Sequence, residues 1–201
     1  MLPNGYSPFT YPANNLKKHE PYGYADYGSY RDWLRDDYLF RCCYCLVREQ
    51  WYAGSAVFHI DHIQSQRSKP GLSTDYANLA YSCAVCNLAK KGKCIPDPSC
   101  LTSKTVRINE DGSYCGETTD AALLIDALLL NRKSAKDYRL RIRALSNKLR
   151  RWPDQELLAF FEYPVELPDL SGLRPKGNRR PKGVSASCFE RRLRGKLPPY
   201  Y

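Results

Sequence analysis

Apolar positions in this chain fall into short blocks whose spacing changes from stretch to stretch. Between Ala56 and Asp61 the alternation predicts a strand, with Val57, His59 and Asp61 on one face and Phe58 and Ile60 on the other. Gln64 to Tyr76 is a polar loop broken by Pro70 and Gly71. Leu79 to Ser82 can pair as a second strand. A helix can begin near Ala84 and stop near Gly92, a C-cap candidate. The order is strand, long loop, strand, helix.

Upstream, Met1 to Gly28 is a Tyr/Pro-rich arm with little periodicity. Ser29, with Asp32 three residues on, predicts the cap of a short helix that carries Trp33 and Leu34 and ends near Tyr38. Phe40 to Cys45 leads into a tight turn.

Downstream, Ile95 to Ser99 is a proline-bearing linker, and Val106 to Tyr114 reads as a hairpin around Glu110-Asp111-Gly112. Thr119 can cap a helix over Ala121 to Leu130, apolar on nearly all sides and therefore expected to be buried. Ser134 starts a longer helix to about Arg151, with Tyr138, Ile142, Leu145, Leu149 and Trp152 as one packing stripe. A short helix is expected over Gln155 to Phe161. From Leu170 onward Pro, Gly, Lys and Arg dominate, which predicts a basic, largely unfolded tail. The expected parts are an arm (1–28), a core (29–94), a hairpin and helical extension (95–169) and a basic tail (170–201).

Charge narrows the partner. A net charge of +10 over 201 residues favours a polyanion, above all nucleic acid. No stretch is apolar enough to span a bilayer, and no signal-like start is present, so a cytoplasmic protein without membrane contact is expected.

The nine cysteines are clustered. Cys42-Cys43-Tyr44-Cys45 and Cys83-Ala84-Val85-Cys86 each present two thiolates from a turn, and together they can complete a tetrahedral zinc site of Cys42, Cys45, Cys83 and Cys86. Cys43 could displace Cys42, although only Cys42 gives the two-residue spacing. Cys94, Cys100, Cys115 and Cys188 lack the pattern and are read as plain thiols.

Between the two turns lies Ile60-Asp61-His62-Ile63, followed by Asn78-Leu79, Cys86-Asn87 and Lys90-Lys91-Gly92. This order resembles the HNH endonuclease family, the zinc-knuckle-bearing branch of the ββα-metal nucleases, from about Tyr30 to Lys93. The fold class is then α+β, an HNH core with a two-Cys-pair knuckle, a helical extension and a basic tail. Leu128-Leu129-Leu130-Asn131-Arg132 and the Arg-rich helix resemble the tail of some HNH proteins of bacterial defence systems, including the Septu type. That resemblance implies an anti-phage effector with a protein partner such as an ATPase.

The chemistry of the residues agrees. Phosphodiester hydrolysis needs a base for the attacking water and positive charge on the phosphate. His62 can be the base. Asp61 and Asn87 offer hard oxygens suited to Mg²⁺ or Mn²⁺. By similarity to the family, Asn78 orients His62 across the hairpin. His59 is either a further ligand or an orienting group. Lys90, Lys91, Arg139, Arg143, Lys148 and Arg150 are candidates for phosphate contacts, as is the tail from Arg174 to Lys196.

Two features depart from the family pattern. Asn87 stands where histidine is frequent, and Ser65 stands where proline commonly follows the motif. With no base-reading module in view, the expected function is metal-dependent cutting of DNA with little intrinsic sequence specificity. The alternative is a non-catalytic zinc-knuckle module that binds nucleic acid or a protein; a broken Asp-His pair would signal it, and here the pair is intact.

Overall fold

The computed structural model describes residues 2–3, 5–14, 18–52, 54–173 and 183–201. The arm packs its aromatic side chains inward. Phe9 lies against Trp51 and Tyr138, with ring centroids 5.5 and 6.4 Å away, and Tyr11 lies 5.4 Å from Tyr114. Burying such rings removes a large apolar area from water, which holds an arm without regular structure in place.

Helix α1 spans Arg31–Asp37 and is preceded by a 3-10 turn, Tyr27–Tyr30. The cap is Asp26, whose carboxylate accepts from the Ser29 amide at 3.1 Å, and not Ser29 itself. The added turn moves the start of the helix back, so the capping oxygen must sit further upstream. Trp33 and Leu34 are fully buried. The helix closes on two buried carboxylates. Asp36 accepts from His19 Nε2 at 2.8 Å and from the Cys188 amide at 2.7 Å; Asp37 accepts from the Tyr76 hydroxyl at 2.6 Å. Arm, core and C-terminal segment meet there.

The chain then turns through a knuckle closed by the Arg41–Arg48 bridge. The Cys43 amide donates to Tyr81 O at 2.8 Å, tying the knuckle to the strand that follows. Strands β1 (Phe58–His62) and β2 (Leu79–Cys83) pair antiparallel, with Asp61 opposite Ala80 and His62 opposite Leu79. Helix α2 (Ala84–Lys90) follows β2 directly. Its C-cap is Lys91, in the left-handed region at φ 34°, with Gly92 also left-handed. This is the expected ββα order.

The extension opens with a small antiparallel sheet, β3 (Val106–Ile108) and β4 (Tyr114–Gly116). Gly116 is the only residue that fits its place: a Cβ there would lie 2.4 Å from the Ala122 amide nitrogen of α3 (Thr119–Ala127). Thr118, one residue before the expected Thr119, caps α3. Ala121, Leu124 and Ile125 of α3 are buried, but Leu123 is exposed, because a helix on the outside of the fold can bury only one side. The Asn131 carboxamide brackets Tyr114, accepting from its amide and donating to its carbonyl, both at 2.8 Å.

Helix α4 (Lys133–Arg151) follows, with Leu149 buried and Tyr138, Ile142 and Leu145 half-buried. Trp152 lies past its end and is 65% exposed, so the stripe stops at Leu149, three residues before the expected limit. The short α5 (Gln155–Leu158) continues as a 3-10 turn to Phe161.

The tail departs from expectation. Residues 183–201 include α6 (Cys188–Leu193) and pack on the core. Tyr201 stacks on Tyr163 at 4.3 Å, and the guanidinium of Arg48 lies 3.9 Å from the Tyr201 ring centroid. Composition hid this, because the buried Cys188 and the half-buried Tyr201 anchor an otherwise basic stretch. The portion 174–182 of the expected phosphate-binding tail lies outside the described residues. Among the described residues, no helix is long and apolar enough to cross a membrane.

Candidate active site and metal centre

The two Cys turns converge. The sulfurs of Cys42, Cys45, Cys83 and Cys86 all lie within 4.8 Å of one another, and Cys45 and Cys83 are 3.7 Å apart. Four sulfurs at about 2.3 Å from one Zn²⁺ would stand about 3.8 Å apart, so the geometry fits the ion. Cys42, not Cys43, belongs to the group. Burial opposes ionisation of Cys42, but hydrogen bonds from the neighbouring thiols hold it well below the ordinary thiol range. Those to Cys42 are the foremost cause that pushes Cys45 and Cys86 well above it. Sulfurs this close share little negative charge among themselves unless a cation joins them.

A cleft of about 600 Å³ opens beside this centre, lined among others by His59, Asp61, His62, Asn87, Lys90 and Lys91. Strand β1 supplies the first three, and α2 with its C-cap the others, so the ββα hairpin brings the motif residues to one surface. Asp61 is buried. Its carboxylate accepts from the Tyr44 hydroxyl at 2.5 Å, and the Lys90 ammonium lies 3.0 and 2.9 Å from its two oxygens. Lys90 also donates to the His62 carbonyl. Burial, then the neighbouring Cys43 and Asp61, pushes the Tyr44 hydroxyl well above its usual range, so it stays a donor.

His62 is half-buried, with Nε2 2.9 Å from Ser73 O. A carbonyl only accepts, so Nε2 carries the proton and Nδ1 holds the lone pair. The Tyr27 ring stands edge-on, 4.8 Å from the imidazole. The Gln66 amide nitrogen lies 3.2 Å from the same Nε2; a carboxamide can turn over and a backbone carbonyl cannot, so Ser73 sets the tautomer and Gln66 must turn its oxygen to this N–H.

Asn78 does not bond to His62 directly. Its carboxamide accepts from the Gln64 amide at 2.8 Å and donates to Gln64 O at 3.0 Å and Leu72 O at 3.2 Å. It pins both ends of the loop whose Ser73 carbonyl holds the imidazole. The orienting contact expected from the family is therefore indirect here. His59 is exposed on the rim.

The basic candidates divide. Lys91 is exposed at the cleft and Lys148 on α4. Arg139 is 2% exposed: it donates to Gly112 O and Leu130 O, at 2.5 and 2.7 Å, and stacks over Tyr114 at 4.3 Å. It cannot reach a phosphate from there, which corrects its assignment to the nucleic-acid surface. Arg143 donates to Asn109 O at 2.8 Å, and Arg150 to Tyr6 O. A guanidinium has five donors, and packed against loop ends these satisfy carbonyls that would otherwise be left unpaired. Arg139→Ala is expected to destabilise the fold by about 2–4 kcal/mol, from two orphaned carbonyls and a cavity. Chemical denaturation checks it, and duplex affinity of the folded variant should be unchanged.

Sequence reasoning missed Tyr44, Tyr27, Gln66 and Ser73. Only Tyr44 had a local signal, its place between two cysteines, and nothing in that spacing says that its hydroxyl reaches Asp61.

A ββα hairpin with paired Cys turns and an Asp-His pair at its strand end defines a nuclease-type metal domain. Residues 42–93 match the family model of the HNH endonucleases. No curated protein matches the chain.

Proposed function

We propose that the protein is a metal-dependent endonuclease that cuts DNA. The observation that carries this is the pairing of His62, with its lone pair on Nδ1, with an oxygen-rich cation site beside it. Asp61 Oδ1, Asp61 Oδ2 and the His62 carbonyl already converge on one positive charge, the Lys90 ammonium, so the donors suit a hard cation. Asp61 and Asn87 would hold a Mg²⁺ or Mn²⁺ ion, which when bound supplies charge stabilisation at the phosphate and the leaving oxygen.

His62 takes the proton of the attacking water at Nδ1. Ser73 fixes its tautomer, and Asn78 fixes Ser73 through the loop. Tyr44 aims Asp61 from the knuckle side. Lys91 and Lys148 contact the sugar-phosphate backbone, which gives affinity without sequence information.

The Zn²⁺ of the four cysteines is structural. The clustered cysteine spacing, which suits metal rather than a disulfide framework, supports a reducing compartment such as the cytoplasm. A defence setting with an ATPase partner is supported by the resemblance of residues 128–132 and α4 alone.

One observation favours a second reading, a non-catalytic nucleic-acid module: Lys90 already neutralises Asp61. A plasmid-nicking assay separates the two. The purified protein should nick supercoiled DNA with Mg²⁺ or Mn²⁺ and stop in EDTA. Asp61→Ala should abolish cutting while leaving the salt dependence of DNA affinity nearly unchanged, whereas Lys148→Ala should flatten that slope by about one unit. Binding without metal-dependent cutting in the wild type would establish the module instead.

A further inference from the structure

Lys90 reads from sequence as a phosphate contact, yet it is 2% exposed. Its ammonium spans both oxygens of Asp61, while the Tyr44 hydroxyl grips Oδ2 from the other side. A divalent ion approaching this carboxylate meets a cation already seated on it. Two cations cannot share one buried carboxylate at close range without strong repulsion. The ammonium must therefore move before the ion can take these oxygens.

The structure also offers it a destination. Lys90 lines the open cleft, at the end of α2, beside the exposed Lys91. A four-carbon stem lets the charge swing outward. A phosphodiester in the cleft presents anionic oxygens in exchange for those of Asp61.

We infer that Lys90 is an internal counter-cation, exchanged for the divalent ion when a nucleic-acid phosphate draws it off Asp61. This rests on the metal-nuclease reading above. Its consequence is positive coupling: DNA promotes metal loading, and metal loading promotes DNA binding by the same factor. Without substrate, the site holds its own cation and stays idle.

The test uses the full, zinc-loaded chain in a His62→Ala background, so that DNA survives. Mn²⁺ affinity is read from the electron paramagnetic resonance signal of the free ion, with and without a short duplex. In the parent, DNA should tighten Mn²⁺ about tenfold. Lys90→Gln should tighten Mn²⁺ by a similar factor without DNA, and DNA should then add little. Lys90→Arg keeps the buried charge pair with a firmer, two-pronged grip, so it should weaken Mn²⁺ binding; it carries the test if Lys90→Gln loses its zinc or its melting transition.

Equal or weaker Mn²⁺ binding by folded Lys90→Gln, or coupling to DNA undiminished in it, overturns the inference and leaves the nuclease reading standing. Equal or tighter binding by Lys90→Arg does the same. If parent and variants all fail to bind Mn²⁺, with or without DNA, the metal-nuclease reading falls and the inference with it.

Discussion

His62→Ala is expected to slow DNA cleavage by about 10²–10⁴-fold, the usual loss when a general base is removed. Zinc content, melting temperature and DNA affinity should be unchanged. The side chain is half-buried and its loss orphans no buried charge; the Ser73 carbonyl it leaves can be solvated from the cleft. Single-turnover cleavage with saturating Mg²⁺ or Mn²⁺ isolates the chemical step. The tautomer adds a second test. Because Nε2 donates to Ser73 O, the basic nitrogen should be Nδ1. His62→Gln retains a donor for the carbonyl but no imidazole base, and it should be as slow as His62→Ala. A variant that cuts at wild-type speed would shift the role to His59, which stands exposed on the same cleft, or would remove the enzyme assignment.

Cys83→Ser is expected to cost the protein its zinc and its cooperative unfolding transition. Structural zinc binding is part of folding free energy, and the four sulfurs here sit at the junction of three elements. Cys83 is the last residue of β2 and the N-cap of α2, and the knuckle carrying Cys42 and Cys45 is tied to β2 through the Cys43 amide. Release of the ion should free the knuckle and, with it, Tyr44, so that Asp61 loses a hydrogen bond that lies outside the zinc centre. Metal analysis and thermal melting check the first effect. Activity should fall along with zinc occupancy when a chelator strips the wild type, even with Mg²⁺ restored in excess. Full zinc occupancy and an unaltered melting temperature in Cys83→Ser would exclude this cysteine as a ligand.

Much of this was legible in the sequence, because local spacing sets local geometry. Two residues between cysteines place both thiols on one turn, and alternation before His62 makes a strand. A strand running straight into Ala84 with a cap at its junction makes the ββα unit. The Asp-His pair at the strand end follows from that order alone. These features depend on neighbours within a few residues, where the covalent chain leaves few choices.

Other features join residues far apart in the chain, and no local pattern encodes them. The basic helix looked like a phosphate surface, since six Arg or Lys residues lie between Arg139 and Arg151 and the count ignores direction. Packing turned Arg139 inward and spent Arg143 and Arg150 on the carbonyls of a hairpin turn and the arm. The tail looked unfolded on composition, yet the buried contact of Cys188 with Asp36 and the stacking of Arg48 on the Tyr201 ring hold residues 183–201 to the core.

The sequence by itself determined the chemical cast: four thiols, an Asp-His pair, two asparagines and a run of lysines, in an order that only one kind of hairpin accommodates. The tertiary structure decided which of them touch. It put Lys90 rather than solvent on Asp61, Tyr44 of the knuckle behind that carboxylate, and Ser73 rather than Asn78 on the imidazole. The reason is desolvation. A carboxylate buried at a strand end must find donors, and which donors it finds depends on whatever the rest of the fold brings within about 3 Å.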